Sequence, residues 1–176
     1  MGKDFFSYID RLESMAFFTA FPLVYSIVLF IIKERFNKFP VLMNKLVRLL
    51  PLSYALTGLL FLGFLLKNLY PDYTFKNVSP LFQFPFLKLW GIIAILFWLP
   101  YLNRRPVLSL LHSFVFFFYL LKDLLVYLFS SADRSIVRND MKIYTDSLII
   151  NSSAFIVVLL FYFFTRKFIP SKKDPG

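Results

Sequence analysis

Three stretches of this chain carry no charged residue over a length that matches a lipid bilayer. They are residues 14–32, 49–66 and 147–165, of 19, 18 and 19 residues. At 1.5 Å per residue, each makes a helix able to cross a hydrocarbon core of about 30 Å. Backbone N–H and C=O groups find no water in lipid, so such segments must satisfy themselves as helices. The fold class read from the sequence is therefore all-α: a polytopic membrane helical bundle, with residues 1–176 forming a single integral membrane domain. Composition agrees, at 59% hydrophobic and only 17% charged, where a soluble domain is about 25% charged.

The middle of the chain is less regular. Residues 89–103 and 106–121 are uncharged over 15 and 16 residues. Each reaches spanning length if a charged end is absorbed: Lys88 by snorkelling, and Lys122 with Asp123 inside the next helix. This gives five expected spans, at about 14–32, 49–66, 84–103, 106–129 and 147–166. The alternative for the middle is a re-entrant hairpin that enters and leaves on one side. Pro51, Pro85 and Pro106 stand near helix starts, where a missing N–H is harmless. Pro170 closes the last span, and Pro22, inside the first, predicts a kink. Residues 130–146 read as a polar loop with a short surface helix. The first span is read as retained, because Lys33-Glu34-Arg35 follows it where a cleaved signal would have small residues.

Net charge is +10, from 20 Lys and Arg against 10 Asp and Glu. The cations lie in short runs between apolar segments, which points to topology and not to a nucleic-acid partner. With five spans, one side carries Lys33, Arg35, Lys38, Lys45, Arg48, Arg104, Arg105, Arg166, Lys167, Lys172 and Lys173, opposed by Glu34 and Asp174. The other carries eight cations offset by seven acids. Positive-inside bias then predicts a cell-membrane protein with its N-terminus outside and its C-terminus in the cytoplasm.

The chain has no Cys and one His. That excludes disulfides, iron–sulfur clusters, Cys-bound zinc and bis-His haem within one chain, and no metal or cofactor is implied. No Gly-rich phosphate loop, nucleophile elbow or zinc-protease motif is present, so no catalytic residue is assigned.

The residues that stand out are polar groups within spans. Ser109, His112, Tyr119 and Asp123 form a stripe on the fourth span; His112 and Asp123 differ by only about 20° around the helix. Ionisable groups in a span usually face protein or water. The stripe is either a proton or ion path or helix-packing glue, with Ser109 or Asn151 as expected partners. In the first cytoplasmic loop, Lys33, Arg35, Lys38, Lys45 and Arg48 alternate with apolar residues and form either a plain topological anchor or a surface for anionic lipid. The expected role is an accessory or scaffold subunit working through other membrane subunits or self-association. A small oligomeric transporter or channel using the stripe is the alternative, and a lipid-modifying enzyme comes last.

Overall fold

The computed structural model describes residues 12, 14–36, 40–68, 85–129 and 134–168; the side chains at 36, 40–42, 85, 123, 127–128, 134–140 and 166–168 fall outside that description. Its regular structure is helical, with no strand among the described residues.

The first span is interrupted where Pro22 predicts. Residues 14–18 are helical, a turn occupies 19–20, and α1 (Phe21–Phe36) follows with Pro22 as its second residue. Proline has no N–H to offer the Phe18 carbonyl. The ladder restarts one step later, with the Leu23 and Val24 amides both donating to the Ala20 carbonyl at 3.1 and 3.2 Å. A short helix, α2 (Pro40–Val47), leads through Arg48 into α3 (Leu49–Asn68).

The next apolar segment is not one helix. It comprises α4 (Pro85–Ile93), a 3-10 stretch (Ala94–Trp98), an extended Leu99 and α5 (Pro100–Asn103). Leu99 has φ −66° and ψ 135°, as expected of a residue that Pro100 excludes from the helical region. Then come α6 (Pro106–Phe129), of 24 residues, and α7 (Arg134–Phe168), of 35 residues.

Among the described residues, four helices are long and apolar enough to cross a membrane: Ser14–Arg35, Met43–Asn68, Pro106–Val126 and Met141–Thr165. Five expected spans are one more than these; within residues 85–103 the apolar helix runs only over Phe86–Trp98. That is about 20 Å at 1.5–2.0 Å per residue, short of the bilayer core. The surface helix expected within 130–146 is corrected. From Arg134 the chain is already part of α7, whose length of about 52 Å exceeds the bilayer core by some 20 Å.

The interrupted segment runs antiparallel beside α3. Tyr54 meets Phe97 with ring centroids 5.5 Å apart. A Cβ on Gly58 would lie 2.9 Å from Ala94 Cβ, and one on Gly91 2.7 Å from the Phe61 ring. These pairs step along the two elements in opposite directions, from one end of α3 towards the other. Both glycines permit the approach, Gly58 by admitting the 3-10 backbone and Gly91 by admitting the Phe18 and Phe61 rings. The core is largely aromatic: Phe18, Phe21, Tyr54, Phe61 and Phe116 are all essentially inaccessible. Phe18 stacks on Phe116 at 4.6 Å and meets Phe61 edge-on at 5.3 Å. Burial is uneven. Within the spanning windows it reaches 56% for the first span and for α3, but only 24% for α6 and 11% for α7.

Candidate functional site

Two buried polar clusters meet α3 one turn apart, at Tyr54 and Thr57. The first is centred on His112. Counting from Pro106, His112 lies nearly two turns into α6, and with Ser109, Ser113 and Phe116 it forms the inward line of that helix; all four are buried. The Tyr54 hydroxyl is 2.7 Å from His112 Nδ1. The imidazole is sandwiched by rings: Trp90 lies parallel to it, 5° off, at 4.5 Å, while Tyr54 and Phe97 approach edge-on at 5.6 Å each. The Trp90 indole N–H donates to the His112 carbonyl at 3.0 Å, so that α4 is fastened to the backbone as well as to the ring. Whichever nitrogen carries the hydrogen, His112 Nε2 is buried and has no hydrogen-bond partner among the described residues.

The second cluster is centred on Asn151 of α7. Its side-chain amide donates to the Phe17 carbonyl at 2.7 Å and to the Ser147 carbonyl at 2.8 Å. Its oxygen accepts from Thr57 Oγ1 at 3.4 Å. Ser147 Oγ accepts from the Ala20 amide at 3.0 Å. The backbone groups served, Phe17 C=O just before the turn and Ala20 N–H within it, belong to the break next to Pro22 in the first span. In lipid they have no water to turn to, and α7 supplies what the broken helix lacks. Near the midpoint of α3, three elements are thus joined through Thr57, Ser147 and Asn151.

No family model, curated protein or solved structure matches this chain. What the two clusters do must therefore be read from their geometry.

The expected stripe on α6 is only partly one unit. Ser109 and His112 are buried and Tyr119 is half-buried, while the side chain of Asp123 lies outside the described residues. Inward-facing burial on α6 ends at Phe116; from 117 onward the described side chains are half-buried or exposed. For His112 the expected partners are corrected. Ser109 Oγ donates back to the Pro106 carbonyl at 2.7 Å, and Asn151 serves the first span and α3. His112 is held by Tyr54 and Trp90 instead, from segments 58 and 22 residues away. The Asn151-Ser152-Ser153 glycosylation sequon is occupied by this packing, with Asn151 only 1% exposed.

Of the basic loop, Lys33, Arg35, Lys45 and Arg48 are exposed, and Lys38 lies outside the described residues. Lys88, expected to snorkel, is 3% exposed.

Proposed function

We propose that this protein is a non-enzymatic, multi-pass membrane subunit that acts through other membrane proteins, as an accessory or scaffold component. The observation that carries this reading is how the intramembrane polar groups are used. Asn151, Ser147 and Thr57 tie three elements together, and Tyr54 and Trp90 pin His112 between rings. Around them, among the described residues, the interior is filled by inaccessible aromatic side chains. The weak burial of α6 and α7 is consistent with partners covering them. In this reading the apolar helix Phe86–Trp98, too short to cross alone, crosses together with Leu99 and α5 as a fifth pass, which places the N-terminus outside and the C-terminus in the cytoplasm of a cell.

One observation favours a second reading, a small oligomeric transporter or channel. A buried imidazole nitrogen without a partner is uncommon, and such groups merit a functional explanation. Proteoliposomes loaded with a pH-sensitive dye separate the two. The scaffold reading expects proton and cation leak no greater than in empty vesicles, for the wild type and for Asp123→Asn alike. A flux that Asp123→Asn abolishes at unchanged protein level would establish transport.

A further inference from the structure

One end of the bundle gathers cations that neither cluster uses. Lys33 and Arg35 end α1, Lys45 and Arg48 lie at the α2–α3 junction, and Arg104 with Arg105 forms the turn between α5 and α6. All six are exposed. The first four belong to the basic loop; the charge pattern puts Arg104 and Arg105 on the same side, and the antiparallel register of α3 with the interrupted segment brings the pair to the same end. Glu34 is the only carboxylate among the described residues there.

Depth adds to charge. Trp98 and Tyr101 are 57% and 67% exposed, and Arg105 sits over the Tyr101 ring with its guanidinium carbon 5.1 Å from the centroid. Exposed Trp and Tyr mark the interface between hydrocarbon and headgroups. The guanidinium held against Tyr101 is therefore at phosphate level, not out in bulk water. Short α2 supports the same placement: Leu46 is buried and Met43 and Val47 half-buried, while Asn44 and Lys45 face outward.

We propose that this end is a binding surface for anionic phospholipid headgroups, with Arg48, Arg104 and Arg105 as its phosphate-contacting residues. Arginine presents a planar fork that matches phosphate oxygens two at a time, which a lysine cannot do. The surface is independent of the scaffold reading: it needs the bundle and its basic end, not a protein partner.

The test uses Trp98 as the reporter, in a Trp90→Phe background so that one indole remains. The protein is reconstituted into phosphatidylcholine vesicles containing a minor fraction of brominated lipid, either phosphatidylglycerol or phosphatidylcholine. At equal mole fraction, brominated phosphatidylglycerol should quench Trp98 about threefold more strongly or better, given the attraction of clustered cations for anionic lipid. Arg48→Gln/Arg104→Gln/Arg105→Gln should bring the two lipids to parity. The corresponding triple Lys variant keeps the charge without the fork, and should fall between. Equal quenching by both lipids in the protein that retains all three arginines would overturn the proposal, and that arm needs no arginine variant to fold. An unchanged preference in the Gln variant would overturn the assignment to these arginines, and a Lys variant equal to the arginine protein would reduce the surface to unspecific charge.

Discussion

Thr57 and Tyr54 lie three residues apart on α3, and each bonds a side chain of another helix, yet the clusters they join differ in kind. On the Thr57 side, Asn151 serves a backbone carbonyl that Pro22 has disturbed, and the polar atoms of Asn151 are all engaged. On the Tyr54 side, the hydrogen bond joins two side chains, and the imidazole keeps one nitrogen without a partner among the described residues. The difference teaches which polar residues a bundle can lose. A side-chain pair can be replaced by two apolar groups, whereas a backbone carbonyl cannot be mutated away.

The largest expected effect comes from forcing open the His112 side alone. Gly58→Val puts side-chain carbons where Ala94 Cβ and the Ile95 amide nitrogen already lie, within 2.9–3.0 Å of an added Cβ. Overpacking typically costs about 1–3 kcal/mol, and backbone atoms cannot swing aside, so a loss of about 3 kcal/mol or more is expected. Thermal unfolding in detergent measures it. The Trp90 emission should change as its stack on His112 is displaced. A variant as stable as wild type would show that α3 and the 3-10 stretch do not approach so closely.

Asn151→Leu should come next, at about 1–3 kcal/mol, because the Phe17 carbonyl loses the Asn151 amide, while Thr57 Oγ1 keeps the Ser53 carbonyl at 3.2 Å. The interhelical part of that is modest, since such bonds average about 0.6 kcal/mol in membranes. Adding Thr57→Val should recover little, as the Phe17 carbonyl stays unsatisfied. Full recovery in that double variant would mean that the first span needs no help from α7.

The smallest effect sharpens the contrast. Tyr54→Phe keeps the ring packing and removes one hydroxyl, at a cost of about 0.6–1.7 kcal/mol. The double variant Tyr54→Phe/His112→Phe removes both polar partners and the unpaired Nε2 together, so it should be at least as stable as Tyr54→Phe alone. If the double variant is markedly worse, His112 contributes something beyond its bond to Tyr54.

Much of this architecture was legible in the sequence, and the gaps have physical causes. Uncharged runs located the spanning helices, and Pro85 and Pro106 stand as the first residues of α4 and α6. The rule that made Pro22 a breaker also applies to Pro100, and would have ended the helix at Leu99; apolar composition concealed it. His112 and Asn151 stood out as polar groups in lipid, but periodicity along one helix cannot reveal a partner on another. Tyr54 and Trp90 read as ordinary aromatic residues until α3 and α4 are packed against α6. Gly58 and Gly91 match no small-residue spacing on a single helix, because the close approaches they allow are to the 3-10 backbone and to two rings.

The central claim, a scaffold whose polar interior is spent on its own packing, is tested most directly by its mass in the membrane. The protein, extracted from its native membrane into lipid nanodiscs without detergent, can be weighed by native mass spectrometry. The account predicts particles containing this 20.8 kDa chain together with other membrane polypeptides at a fixed ratio, still bound after Asp123→Asn. Particles holding only this chain, as one copy or as whole multiples of it, would contradict it.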